Sequence, residues 1–202
     1  MEDTIPDFVF AEKHRPRGTH YLFLLIYAIK KSLRIRFSYS KFQGNDLSER
    51  YVEPYALKEV RGRWYAVGRS VGQRDMKSYG LDRIINLEIT DNKFTKDASV
   101  NLPEKFRDSF GIYSSDEYPV EDVILSFDAE DGHYLKSLPL HSSQEIIKDT
   151  DDEFIVRLHL KITHDFVMEI LSRSWSLKVI QPASLRQRIY EIYRSALKRN
   201  DV

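Results

Sequence analysis

No cysteine occurs among the 202 residues. That excludes a disulfide framework, thiolate metal sites and a cysteine nucleophile, and it accords with a reducing compartment. Long apolar runs are missing too. The longest, YLFLLIYAI, covers residues 21 to 29. A membrane-spanning helix needs roughly 20 apolar residues, so this run reads as a helix facing a core. The opening MEDTIPDF lacks the basic-then-apolar build of a secretory leader, and a soluble, cytoplasmic protein with no membrane partner is expected. Neither sign of charge dominates, because 31 Lys and Arg balance 31 Asp and Glu. The chain as a whole is thus neither a basic nucleic-acid-binding tail nor an acidic disordered segment. What is present, 42% hydrophobic and 12% aromatic residues, suffices for one large core or two small ones.

Catalytic signatures are absent as well. There is no GxxxxGK(S/T), no GxGxxG after a strand, no HExxH and no GxSxG. None of the six histidines pairs with another at the i+4 spacing of a helical metal site. His159 lies opposite the apolar set of an alternating strand and is expected in solvent. The acids of DAED at 128–131 read as a helix start. No catalytic residue, metal site or cofactor is expected, and the protein is not expected to be an enzyme.

The balanced total hides an asymmetry. Residues 11–41 carry eight basic residues and one acid, whereas residues 95–157 carry fifteen acids and six bases. Two modules with different partners would produce this pattern, and so would solvated faces that pair with each other. Residues 1–18, with Pro6, Pro16 and Gly18, read as a linker or lead-in. Thr19 is placed to cap the helix that follows, whose apolar residues Tyr21, Leu22, Leu25, Ile26 and Ile29 recur at helical spacing. From Leu33 the period becomes two, and QGND at 43–46 marks a turn. Then RYVEPYALKEV, RWYAVGRS, SYGL and IINLEIT supply further strands. One helix followed by about five short strands predicts a small barrel of the SH3 or Sm type over residues 19–95. Residues 96–119 read as a second linker. From 120 to 202 the order β-α-β-β-α-β-α predicts a ferredoxin-like domain with a terminal helix. The fold class is α+β.

The segment RGRWYAVGRS at 61–70 sets a Trp-Tyr pair among three arginines. Between Lys58 and Arg83 there are seven bases and three acids. Alternation puts Trp64 and Ala66 on one strand face and Arg63, Tyr65 and Arg69 on the other. An aromatic ring beside guanidinium groups can stack on a base and meet phosphate oxygens. A cross-strand tyrosine with a basic rim would look the same, and composition leaves both readings open.

The run VEPYALKEVRGRWYAVGRS, followed by KSYGLDRIINLEIT, resembles a WYL domain, the ligand-sensing module of many bacterial transcription regulators. The family's Trp-Tyr-Leu triplet corresponds to Trp64-Tyr65-Ala66. Tyr39 in RFSYS, Arg50 before Val52-Glu53-Pro54, and Leu81-Asp82-Arg83-Ile84 also match. Ser143-Gln144 and VIQPASLR at 179–186 resemble the C-terminal extension of such regulators, so the likeness runs from about Tyr21 onward. Three departures stand out: Ala66 replaces the leucine, Lys77 stands where arginine is common, and no winged helix-turn-helix precedes the domain. A lysine meets phosphate as a point charge, without the bidentate fork of arginine.

The resemblance implies an Sm-like barrel binding a single-stranded nucleic acid or a nucleotide, and a ferredoxin-like part contributing to a homodimer. This chain would be either the C-terminal part of a longer regulator or a stand-alone sensor; the first is favoured, with DNA contacted through an N-terminal domain absent from this chain. The pocket residues it implies are Tyr39, Arg50, Tyr65, Arg69, Lys77 and Arg83. The tyrosines would stack or donate a hydrogen bond, and the cations would meet phosphate. Trp64 would anchor the core, and Arg83 could instead close an ion pair with Asp82. A protein-docking module with a basic barrel face is the competing expectation.

Overall fold

The computed structural model describes residues 17–40, 47–115 and 117–200. Most of the expected lead-in and the whole QGND turn lie outside them. The chain divides into two compact units, Met1–Ala98 and Ser99–Val202.

In the first unit a short 3-10 turn, Thr19–Tyr21, leads into helix α1, Leu22–Lys31. Thr19 does not cap α1. It opens the turn instead, behind Gly18 in the left-handed region at φ 86°. Five strands follow: β1 (Leu33–Ser40), β2 (Leu47–Val60), β3 (Arg63–Ser70), β4 (Met76–Gly80) and β5 (Ile84–Lys93). They form one antiparallel sheet in the order β4-β3-β2-β1-β5. The β2–β3 hairpin turns on Arg61 and Gly62, both at positive φ (51° and 75°), as a two-residue primed turn requires.

A 3-10 turn of three residues, Leu81–Arg83, links β4 to β5, the two edges of this sheet. In a flat sheet those edges would be about 19 Å apart, four strand spacings. The four Cα steps from Gly80 to Ile84 reach at most about 14 Å. The sheet must therefore roll up. The ring contacts agree: Tyr39 on β1 and Tyr79 on β4 have centroids 5.4 Å apart although two strands lie between them in the order. The inside of the roll is the core, with Leu25, Ala28, Ile35, Phe37, Val52, Ala66 and Leu81 buried.

The second unit holds α2 (Leu102–Phe106), β6 (Val120–Phe127), α3 (Ala129–Ser137), β7 (Glu145–Asp149), β8 (Phe154–Lys161), α4 (His164–Leu171), β9 (Lys178–Gln181) and α5 (Ala183–Arg199). Its antiparallel sheet has the order β7-β8-β6-β9, the arrangement of a split βαβ fold. Strand β8 alternates strictly: Phe154, Val156, Leu158 and Leu160 are fully buried, while Arg157 and His159 face solvent. Side-chain caps start the helices where the sequence places them. Asp128 accepts from the Asp131 N–H (2.8 Å) ahead of α3, and Thr163 from the Phe166 N–H (3.3 Å) ahead of α4. Of the segment expected as a linker, residues 96–98 belong to the first unit, and the described residues from Ser99 onward carry α2 and belong to this one. The Asp108 carbonyl accepts from the Lys161 N–H at 2.8 Å, and the Phe110 and Phe166 rings meet at 5.4 Å.

Candidate ligand-binding face

Strand pairing sorts the first unit's side chains between the two faces of its sheet. Directly paired residues point the same way. Ile35 opposes Val52, Phe37 opposes Arg50, and Tyr39 opposes Ser48. Arg50 thus shares the inner face with the core residues Phe37 and Val52. On the far side Ala66 opposes Tyr79 and Gly68 opposes Lys77, so Lys77 is on the inner face too.

Four of the six expected site residues, Tyr39, Arg50, Lys77 and Arg83, belong to this inner arrangement. Its centre is a cluster of rings. Phe37, Tyr39 and Tyr79 meet edge to face, at centroid distances of 5.4–6.0 Å. The guanidinium carbon of Arg83 lies over the Tyr39 ring at 5.1 Å. The Tyr39 hydroxyl accepts from the Gly80 N–H at 3.2 Å, and the Tyr79 hydroxyl and Ser70 Oγ are 2.7 Å apart. Burial pushes the Tyr39 phenol above its ordinary value, and the Arg83 charge partly opposes that. Tyr79 and Ser70 were not singled out in the sequence. Alternation onward from Lys77 is the signal that would have found Tyr79.

The expected ion pair between Arg83 and Asp82 is long, at 3.9 Å. Lys77 donates to the neutral Gln73 side chain at 2.5 Å. Among the described residues no carboxylate forms an ion pair with Arg50 or Lys77.

Tyr65 and Arg69 do not join this group. They oppose Lys58 and Glu53 on the other face of the sheet. The cause is β3's own alternation, which turns 65 and 69 outward once Ala66 is in the core. Three cations on that face have acids beside them. Arg34 pairs with Glu53 at 2.9 Å, Arg36 with Glu88 at 2.6 Å, and Arg69 with Asp97 at 3.0 Å. Arg69 also stacks over Tyr55 at 5.5 Å.

Trp64 is half-buried against the core, as expected of an anchor, but it has a second surface. With Arg17, Arg63 and Asp82 it lines a cavity of about 210 Å3. Gly18 fixes this cavity. A Cβ there would run into the Leu81 backbone carbonyl, so only glycine lets residues 17 and 18 lie against the 81–83 turn.

Among the described residues no group of three or more His, Asp or Glu side chains is gathered to hold a metal ion. Nor is any described helix long and apolar enough to cross a membrane.

Residues 20–89 match the family model of the WYL domain, and residues 119–197 match that of the WCX domain. No curated protein matches the chain. Among solved structures it is similar to proteasome accessory factor B/C (PafBC) of Arthrobacter aurescens, at 17% identity and a TM-score of 0.38. That match covers 96% of this chain and 29% of the other. It is also similar to a CRISPR Cas-related protein, at 11% identity and a TM-score of 0.52, covering 91% of this chain and 53% of the other. This second likeness is one of fold. The chain spans less than two thirds of either structure's length.

Proposed function

We propose that this chain, which carries a WYL domain followed by a WCX domain, is the sensing part of a transcription regulator. The WYL unit binds an anionic ligand of nucleic-acid type, a single strand or a nucleotide, on its inner basic aromatic face. The WCX unit contributes to a homodimer, and a domain outside this chain contacts DNA. No catalytic step is assigned to it.

One observation carries this reading: the sorting of cations. Outer-face arginines Arg34, Arg36 and Arg69 have carboxylate partners, while Arg50 and Lys77 have none among the described residues. Those two share a face with the Phe37–Tyr39–Tyr79 rings and the Arg83 guanidinium. Cations kept without acids beside aromatic rings suit a ligand that brings its own negative charge and a flat surface. Occupancy would alter transcription only through differential affinity for two states of the whole regulator.

Fluorescence anisotropy with labelled single strands, duplexes and nucleotides at two salt concentrations tests this. Binding should weaken with salt as counterions are released. Arg83→Ala should cost about 10- to 150-fold, the value of a hydrogen bond to a charged group. Tyr65→Ala, on the outer face, should bind within about 2-fold of wild type. Absence of binding to every probe by a folded wild type would overturn the assignment.

A protein-docking reading has one observation in its favour. Helix α1 exposes Phe23, Leu24, Ile26 and Tyr27, with Phe23 85% accessible. Docking there would tolerate Arg83→Ala and fail with Phe23→Ala.

A further inference from the structure

We infer that the cavity formed by Arg17, Arg63, Trp64 and Asp82 is a nucleobase subsite that prefers guanine. The inference rests on the nucleic-acid-type ligand proposed above, and it assigns a place for one base that the inner face does not supply.

Size is the first consideration. About 210 Å3 falls below the roughly 300–1,000 Å3 of pockets that enclose drug-sized ligands, so the cavity suits one ring system rather than a whole nucleotide. The lining is the second. A half-buried indole offers a flat, electron-rich wall for stacking. Arg17 and Arg63 are exposed, and guanidinium groups at the rim can meet the phosphate of the same nucleotide or stack on the open face of the base.

Asp82 decides among the bases. An ionised carboxylate only accepts hydrogen bonds, with two oxygens in a fork. The N1–H and N2–H2 groups of guanine form two adjacent donors that match it. Adenine offers N6–H2 beside the acceptor N1, and thymine and uracil place carbonyl oxygens on either side of a single N–H. A carboxylate in the pocket therefore favours guanine, with its two adjacent donors, over adenine, cytosine, thymine and uracil, each of which sets an acceptor beside its donor.

The 81–83 turn couples this subsite to the inner face. Asp82 lines the cavity, while the next residue, Arg83, lies over Tyr39 at 5.1 Å. Both side chains fold over Gly80, where a Cβ would press on Asp82 Oδ1 and the Arg83 guanidinium. One strand could thus place a base against Trp64 and neighbouring phosphates beside Arg83, Lys77 and Arg50.

The test uses the tryptophans. There are two in the chain, Trp64 and Trp175, so Trp175→Phe leaves Trp64 as sole reporter. Trp175 is 75% exposed and lies in the other unit, so its replacement should leave the first unit intact. GMP, IMP and AMP are titrated while Trp64 emission is followed. GMP should quench it and bind about 5- to 150-fold more tightly than AMP, the discrimination expected of a good bidentate pair. IMP, which lacks the N2 amino group, should fall between. Asp82→Asn, of the same shape, should reduce the GMP preference to about 2-fold or less, and Arg63→Ala should weaken GMP and AMP alike. Equal quenching by GMP and AMP, or a GMP preference that survives Asp82→Asn, overturns the inference. So does an unquenched Trp64 in a protein that still binds labelled single strands through Arg83, and that result leaves the wider reading standing. Absence of both quenching and single-strand binding defeats the two together.

Discussion

Buried rings in the second unit, Phe127, Phe154 and Phe166, are phenylalanines with no hydroxyl to satisfy. In the first unit Tyr39 and Tyr79 are also buried, and each hydroxyl needs a partner, found at the Gly80 N–H and at Ser70. Charges differ in the same way. On the second unit's surface Lys136 pairs with Asp149, Lys148 with Glu153 and Arg157 with Glu145. The first unit pairs the outer arginines Arg34, Arg36 and Arg69 but sets Arg50 and Lys77 on the inner face with no carboxylate pair among the described residues. A buried hydroxyl gains nothing over a methyl-sized apolar group unless it is bonded, and an unmatched cation adds little to stability. Where a unit departs from the cheapest way to fill a core, function is the usual reason. The second unit is the reference against which the departures of the first stand out.

The largest expected effect tests that contrast at its apolar end. Phe166→Ala should cost about 3–5 kcal/mol, because the ring is fully buried and leaves a cavity. Hydrogen exchange should show protection falling in β6 and β8 while β1, β2 and β3 keep theirs. A loss shared equally by both sheets would show that the units are not separate cores. Next in size is Gly18→Ala, with a cost of about 1–3 kcal/mol from a left-handed backbone and a collision with the Leu81 carbonyl. Chemical denaturation followed by Trp64 emission reads it in the first unit. An unchanged midpoint would mean that residues 17 and 18 do not lie on the 81–83 turn.

Much of this contrast was legible in the sequence, though not all of it. Strict alternation in FIVRLHLK and in LRIRFSYS identified β8 and β1, because a sheet with one buried face leaves that period in its residues. The order of elements from 120 onward was enough for the ferredoxin-like part. Pairing was the missing information. Tyr65 and Arg69 look like neighbours of Tyr39 on paper, yet only the β2–β3 and β3–β4 registers decide which face each strand turns inward. Long-range contacts were equally silent. Nothing local says that Arg83 will lie over a ring 44 positions earlier, or that Arg17 and Trp64 will line one cavity. Thr19 misled because a hydroxyl before an apolar run is a good cap in general, and here the left-handed Gly18 starts the turn instead.

A smaller effect separates the two faces of the first sheet. Lys77→Ala and Arg50→Ala should each lower the salt slope of single-strand binding by about one, the signature of one lost phosphate contact. Arg69→Ala should leave that slope unchanged and cost less than about 1 kcal/mol of stability, since its partner Asp97 is partly exposed. Equal slopes for all three variants would mean that the faces are not distinguished by the ligand.

The smallest effect concerns the Tyr39 hydroxyl, and it depends on pH. At neutral pH, Tyr39→Phe removes the bond from the Gly80 N–H and should destabilise by about 1 kcal/mol. In the folded protein burial holds the phenol above its ordinary value, and in the unfolded chain it ionises near about 10. Between those two values the folded state binds more protons than the unfolded state, so wild-type stability falls as pH rises. The contribution of the protonated hydroxyl is fully present below about 10 and is lost as pH climbs through the folded value. Phenylalanine has no proton to lose, so the gap between the variants should narrow in alkali and then close. Denaturation midpoints of both proteins, measured at matched pH from neutral to alkaline, give the difference directly, with every other titrating group cancelling. A gap that stays constant would show that the phenol ionises alike in both states, and would remove the buried hydroxyl from what distinguishes the first unit's core.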